Sequence, residues 1–141
     1  RRRRARAGRV AGGHVITCGV WSSTERRLVA VILDDAARAR KPIFVPRSTA
    51  AADGLVEYLA TEIEAEIVLP ESLLGEPIGR AAARSGRLWL APRGLVESVR
   101  QAAALSPRAS AAMLARLPRI RSLRRELRHH NRDPRQLVLL P

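Results

Sequence analysis

Basic residues are concentrated at the two ends of this 141-residue chain, and the stretch between them is electrically balanced. Residues 1 to 13 contain six arginines and no acid, and residues 106 to 141 contain nine arginines against Glu126 and Asp133. Residues 14 to 105 contain eleven basic and eleven acidic side chains, so the formal charge of +13 divides into +6 and +7 at the ends. This layout is typical of a chain that folds with its middle and meets a polyanion with its ends.

The partner that this charge predicts is a nucleic acid, DNA or RNA, bound through its phosphates. Arginine outnumbers lysine 25 to 1, which genomic base composition alone can produce, but such a bias does not explain why acids are absent from the ends. The predicted contacts are Arg1, Arg2, Arg3, Arg4, Arg6, Arg9, Arg119, Arg121, Arg124, Arg125 and Arg128.

The composition excludes several classes of protein. Only 3% of the residues are aromatic, too few for a platform on which single-stranded bases stack. The apolar runs are far shorter than the roughly 20 residues that a membrane span needs, so we expect no membrane partner. The single cysteine, Cys18, lies in an apolar run and is expected to be buried, which favours a cytoplasmic location. A removed organelle-targeting segment stays an alternative for the N-terminal arginines.

The first half of the chain predicts three strands and a helix. β-rich runs at residues 14 to 20 and 27 to 34 flank a polar turn and indicate a hairpin. A third run at 42 to 46 is bracketed by prolines, which suit a sheet edge. Ser48 or Thr49 then caps an amphipathic helix that reaches Ile63.

The second half predicts alternating strands and helices. A strand at 66 to 70, a helix from Pro77 to Gly86 and a strand at 87 to 91 form a βαβ unit with parallel strands. A helix follows at 95 to 105, and residues 110 to 128 are helical except at Pro118, which kinks or splits the segment. The piece after Pro118 is a basic amphipathic helix. Residues 136 to 141 are either one more strand or the start of a longer chain.

This order of elements is that of the ribonuclease H-like fold, and parts of the chain resemble the RuvC-like transposases and recombinases with a DEDD active site. Gly-Val-Trp-Ser-Ser at 19 to 23 and Arg-Leu-Val-Ala-Val-Ile-Leu-Asp at 27 to 34 are similar to the first hairpin of that family. Residues 48 to 59 resemble its first helix, 67 to 71 its fourth strand, and Pro-Arg-Ala-Ser-Ala-Ala-Met-Leu at 107 to 114 its final helix motif. The resemblance implies an α/β fold with a mixed five-stranded sheet, flanking helices and a basic C-terminal helix.

The resemblance divides the chain into three parts. Residues 1 to 13 form a flexible arginine-rich arm, 14 to 117 the ribonuclease H-like domain, and 118 to 141 the basic helix and tail.

The catalytic carboxylates of that family are mostly missing. Trp21 stands where the family has its first aspartate, and Pro107 and Ser110 stand where it has the two late ones, so only Glu71 survives. Metal-dependent cleavage needs clustered carboxylates that hold two metal ions about 4 Å apart. The resemblance therefore implies a degenerate nuclease-like scaffold with no metal site.

Other candidate catalytic or ligand-binding residues match known motifs less well. Asp34, Asp35 and Asp53 are possible substitute carboxylates, although Asp53 falls on the outer face of its helix. His129 and His130 are adjacent and therefore point differently on a helix, which does not suit one metal ion. The glycines at 75 and 79 precede and enter a helix without the remaining residues of a phosphate-binding motif.

The sequence thus predicts a nucleic-acid-binding protein without cofactors. Two alternatives stay open. One is a DEDD-type transposase or resolvase, whole or fragmentary, in which Glu71 is catalytic and magnesium is bound. The other is a structural protein of a ribosome-like RNA particle. Whether any catalysis survives, the choice of DNA or RNA and the oligomeric state are not decided by the sequence.

Overall fold

A computed structural model describes residues 15 to 104 and 106 to 131. They form one five-stranded sheet with helices on both faces. The strands are β1 (Thr17–Ser22), β2 (Arg27–Leu33), β3 (Ile43–Pro46), β4 (Glu66–Pro70) and β5 (Leu88–Ala91). The helices are α1 (Thr49–Glu57), α2 (Pro77–Ser85), α3 (Arg93–Ala102), α4 (Pro107–Arg116) and α5 (Arg121–His130). The arm and the tail predicted at 1 to 13 and 136 to 141 lie outside the described residues.

The sheet is mixed, with the order β3-β2-β1-β4-β5. β1 and β2 are antiparallel, with Thr17 opposite Leu33, and β2 and β3 are also antiparallel. β4 is parallel to both β1 and β5. The α/β class, the mixed five-stranded sheet and the parallel βαβ unit that the sequence predicts are confirmed.

Most of the local signals in the sequence mark real element boundaries. The Ser48 hydroxyl accepts a hydrogen bond from the Ala51 N–H at 3.2 Å and caps α1, which continues as a π-helical turn over Tyr58–Ile63. Gly86 ends α2 with a φ of 74°, the left-handed conformation that glycine adopts most easily. Pro118 lies in a short 3₁₀ turn, Leu117–Arg119, that separates α4 from α5.

One predicted boundary is wrong. The sequence places Trp21 in the polar turn after the first strand, but β1 runs through Trp21 and Ser22 and pairs them with Val29 and Leu28. Trp21 packs into the core, so its burial extends the strand into the polar stretch.

Alternate residues along each strand point into two separate apolar cores. One core packs β1, β2 and β4 against α1 and α2, and includes Leu59, Ile67 and Ile78. The other packs the opposite face of the sheet against α3, α4 and α5, and includes Val68, Leu114 and Leu127. Helix α5, which the sequence assigns to a separate segment after residue 117, therefore packs on the same sheet.

Cys18 is buried in the first core, as the sequence predicts. Burial raises the pKa of its thiol to about 12, against a weaker opposing effect of a backbone hydrogen bond involving Val31. At neutral pH the side chain is a neutral thiol that fills space. Among the described residues, no helix is long and apolar enough to cross a bilayer.

Candidate nucleic-acid interface

Helix α5 carries a row of exposed arginines along one side. Arg121, Arg125 and Arg128 are spaced by four and three residues, and all three are exposed. At 100° per residue this spacing places them within about 60° of the helix circumference. With a rise of 1.5 Å per residue, the row is about 10 Å long. These three residues are called the arginine stripe below.

The segment that carries the arginine stripe contains little negative charge. Residues 106 to 131 contain seven arginines and one acid, Glu126. Glu126 follows Arg125 directly and so points about 100° away from it around the helix. No hydrogen bond or ion pair joins a stripe arginine to another described residue. The stripe is therefore positive charge that the described part of the protein leaves uncompensated.

The opposite side of α5 is fixed to the sheet. Leu127 is fully buried in the second core. The Arg124 guanidinium donates to both carboxylate oxygens of Glu66 at 3.2 Å and to the carbonyl of Pro118 at 3.1 Å. It also lies 5.1 Å from the ring centre of Trp89, a cation–π distance. These contacts hold the first half of the helix on β4 and β5.

The end of α5 is held on the edge of β5. The Asn131 side-chain oxygen accepts from the Leu90 N–H at 2.9 Å, and its amide nitrogen donates to the carbonyls of Leu90 at 3.2 Å and Leu127 at 2.7 Å. Nε2 of His130 lies 3.4 Å from a carboxylate oxygen of Glu71, without the alignment of a hydrogen bond. Because both ends of the helix are anchored, the positions of the stripe arginines on the surface are fixed.

Arg119, another predicted contact, is directed into the protein. Its Nε donates to the Thr17 hydroxyl at 3.1 Å, and its Nη2 donates to the carbonyls of Val15, Leu33 and Asp34. Burial lowers the pKa of Arg119, and nearby acids, Asp34 first among them, oppose that effect. The geometry thus gives Arg119, like Arg124, a role in holding the fold, and phosphate contact by either stays a prediction.

Two further exposed arginines are absent from the set predicted from the sequence. Arg108 and Arg116 lie in the first and last turns of α4 and are exposed. They belong to the same arginine-rich stretch as the arginine stripe, and that charge pattern is the signal that identifies them. The six arginines predicted in the arm lie outside the described residues.

The positions that correspond to the family's catalytic acids lie around the carboxyl ends of β1 and β4 and on α4. Trp21 is 8% exposed, and the guanidinium of Arg100 lies 5.6 Å from the centre of its ring. Ser110 is 2% exposed and lies on the buried side of α4. Pro107 is the first residue of that helix. These positions are occupied by a tryptophan, a buried hydroxyl and a proline, so none of them offers the carboxylate that the resemblance implies.

Glu71 begins a short 3₁₀ turn after β4, and one of its carboxylate oxygens faces Nε2 of His130 at 3.4 Å. In the described part of the chain, no three His, Cys, Asp or Glu side chains come together as a metal-binding group. One carboxylate that already faces a histidine does not fit a pair of magnesium ions bridged by several acids. The residues present at this position therefore do not suit the metal site that the resemblance implies.

The possible substitute carboxylates lie elsewhere. Asp34 accepts hydrogen bonds at 2.9 Å from the backbone N–H groups of Ala36 and Arg38, which lower its pKa, the bond from Arg38 most. It closes the loop between β2 and β3. Asp53 is exposed on α1, as predicted, and pairs with Arg84 at 3.2 Å.

The glycine at position 79 is explained by packing. A Cβ atom there would lie 2.3 Å from the carbonyl oxygen of Leu73 and 2.4 Å from that of Leu74. Only glycine lets α2 approach the preceding turn so closely.

The fold and the charged surface together define an α/β protein with a mixed five-stranded sheet and a rigid basic helix. No model of a known protein family matches the chain, and no curated protein matches it by sequence.

Proposed function

We propose that this protein binds nucleic acid through the phosphates, with arginine-rich ends attached to a ribonuclease H-like scaffold that has lost its catalytic carboxylates. The observation that carries the proposal is the arginine stripe, a row of exposed, uncompensated arginines on a helix anchored to the core.

The scaffold assignment is supported by the order of the elements and by the mixed sheet. Three antiparallel strands are followed by two parallel ones, each reached through a helix, as the resemblance implies. The replacement of the acids by Trp21 and Ser110 supports binding over cleavage. The enzymatic alternative is supported by one remaining carboxylate of the proposed catalytic set, that of Glu71.

Phosphate binding is supported by the choice of side chain. The planar guanidinium of arginine meets phosphate oxygens with two parallel hydrogen bonds and stays charged at any physiological pH. Contacts to phosphate position a protein without reading base sequence. The proposed binding is therefore largely independent of sequence. The proposal includes a cytoplasmic setting, which rests on the reduced, buried Cys18.

The proposal is tested by binding of the full chain to short DNA and RNA fragments of unrelated sequence. We expect each fragment to be bound, and deletion of residues 1 to 13 to weaken binding to all of them by a similar factor. The binding is measured by fluorescence anisotropy, and circular dichroism confirms that the deleted protein is folded. Absence of binding at low salt would reject the proposal.

The same preparations test for cleavage with magnesium or manganese. We expect the fragments to stay intact in the presence of either metal. Cleavage or strand transfer by the unmodified chain that disappears in Glu71→Ala would establish the enzymatic alternative instead.

A further inference from the structure

The arginine stripe has a geometry that selects one form of nucleic acid. We infer that it lies along a single strand of a double helix and contacts consecutive phosphates without reaching the bases. This inference rests on the proposed function and adds the form of the partner and the surface that binds it.

The spacing of the stripe suits a regular row of phosphates. The rise between Arg121 and Arg125 is about 6 Å, and that between Arg125 and Arg128 about 4.5 Å. Along one strand of a duplex the phosphates advance by about 3.4 Å of helix axis, and the distance between neighbouring phosphates is larger because the strand winds around that axis. The steps of the stripe therefore suit neighbouring phosphates. Each arginine side chain is long enough to adjust to its own phosphate.

The rigidity of the stripe favours a rigid partner. Helix α5 is anchored through Arg124 to Glu66, through Leu127 to the core and through Asn131 to β5. The arginine side chains become ordered on either partner, but a duplex is already ordered, whereas a single strand also loses backbone freedom when it is held straight. The difference in ordering favours the duplex.

The large aromatic rings of the protein are not placed to stack single-stranded bases beside the stripe. Both tryptophans have an arginine over the ring, Arg100 over Trp21 and Arg124 over Trp89. The exposed phenylalanine and tyrosine rings of the described residues are Phe44 and Tyr58, and the imidazole of His129 is exposed on α5 itself. Phe44 lies on β3, the edge of the sheet opposite to β5.

Tyr58 follows α1, which packs on the other face of the sheet from α5. Binding of single strands gains much of its affinity from stacking on large aromatic rings, and among the described residues no exposed phenylalanine, tyrosine or tryptophan lies on α5.

The test compares a duplex with its two separated strands, using three proteins. The first is the unmodified chain. The second replaces the stripe, Arg121→Gln, Arg125→Gln and Arg128→Gln. The third is a control that removes the same charge from exposed positions of the balanced segment, Arg26→Gln, Arg40→Gln and Arg93→Gln. Thermal unfolding followed by circular dichroism checks that all three are folded.

We expect the unmodified chain to bind the duplex more tightly than either strand. Each phosphate contact contributes about 0.9 to the slope of log K against log salt, so the stripe variant should lose about 3 from the duplex slope. The control should keep most of that slope because its arginines lie elsewhere.

Two results would overturn the inference while leaving the proposed function in place. One is an equal loss of slope in the stripe and control variants, which would mean that net charge alone determines the salt dependence of binding. The other is binding of the single strands as tight as that of the duplex. Failure of the unmodified chain to bind either form would reject the proposed function itself.

Discussion

Arginines that are close together in the sequence have different roles in this protein, as Arg119 and Arg121 show. Arg119 lies at the end of the 3₁₀ turn and reaches back to the first residues of β1 and the end of β2. Arg121 begins α5 on its exposed side. The sequence predicts the same role, phosphate contact, for both residues because both lie in the same arginine-rich segment. Their roles depend on contacts about 100 residues away, which no local pattern contains.

Replacement of Arg119 by alanine should destabilise the protein. Arg119→Ala removes the hydrogen bonds to the Thr17 hydroxyl and to the carbonyls of Val15, Leu33 and Asp34, of which the Asp34 carbonyl keeps one donor, the Ala37 N–H. Loss of hydrogen bonds from a charged group and the unpaired acceptors that remain should lower the free energy of unfolding by about 3 kcal/mol. Urea denaturation followed by circular dichroism measures this change.

Arg121→Ala is the matched control for that experiment. An exposed arginine without a partner should alter the free energy of unfolding by no more than about 0.5 kcal/mol. Equal stability of the two variants would contradict the structural role assigned to Arg119.

The closest packing between elements is that of α4 on β1. Gly19 faces the helix, and a Cβ atom at that position would lie 1.9 Å from the carbonyl oxygen of Ala111 and 2.8 Å from the backbone nitrogen of Ala115. The Thr17 hydroxyl also donates to the carbonyl of Ala115 at 2.7 Å. The backbone of the helix therefore rests directly on the central strand of the sheet.

Gly19→Ala should force α4 away from β1. Overpacking against the backbone is relieved only by moving the helix, and we expect a loss of about 3 kcal/mol in the free energy of unfolding. In the control, Gly54→Ala, the added Cβ meets nothing within 4 Å on a helix surface and should stabilise by about 0.5 to 1 kcal/mol. The two changes are compared by urea denaturation. A neutral Gly19→Ala would contradict the described packing.

The prolines around β3 protect the free edge of the sheet. The Arg47 N–H donates to the carbonyl of Arg26, so by alternation the backbone of Phe44 and Pro46 faces away from β2. Pro42 occupies the next outward position, and neither proline has an N–H to offer another strand. The sequence correctly predicts this edge because proline is excluded from the interior of a sheet.

Most elements are predictable from the sequence because their signals are local. The Ser48 cap, the glycine after α2 and Pro118 each act within a few residues of the boundary that they set. The docking of α5 is different. Glu66, Trp89 and Asn131 come together from three separate elements. The residues next to each of them in the sequence do not indicate which side chains it contacts.

On the scale of the whole molecule, the electrically balanced residues 14 to 105 supply all five strands of the sheet. Helices α4 and α5, which cover part of one face of that sheet, carry excess positive charge. Residues 106 to 131 pack α4 and α5 onto the sheet through Leu114 and Leu127, while Arg108, Arg116 and the arginine stripe stay exposed. The charge pattern of the sequence predicts that the C-terminal segment is basic. The apolar face of the basic helix, Ile120, Leu123 and Leu127, favours packing on its own domain, and Leu127 is indeed buried in the second core.

The candidate site was predictable in its charge but not in its geometry. The arginine-rich ends are evident from the sequence, and so is the absence of a carboxylate at positions 21 and 110, where the proposed scaffold would have one. The separation of exposed from internally bound arginines follows from the position of α5 on β4 and β5, which depends on tertiary contacts. Of the predicted contacts on this helix, Arg121, Arg125 and Arg128 are exposed, whereas Arg124 is bound within the protein.

The most direct test of phosphate binding by the arginine-rich ends is the salt dependence of duplex binding by the full chain. If about six phosphates are engaged, log K should fall with log salt with a slope near −5. The affinity, measured by fluorescence anisotropy across a series of salt concentrations, should also be similar for unrelated sequences. A flat response to salt would contradict the account, since it would mean that the arginines do not hold the partner.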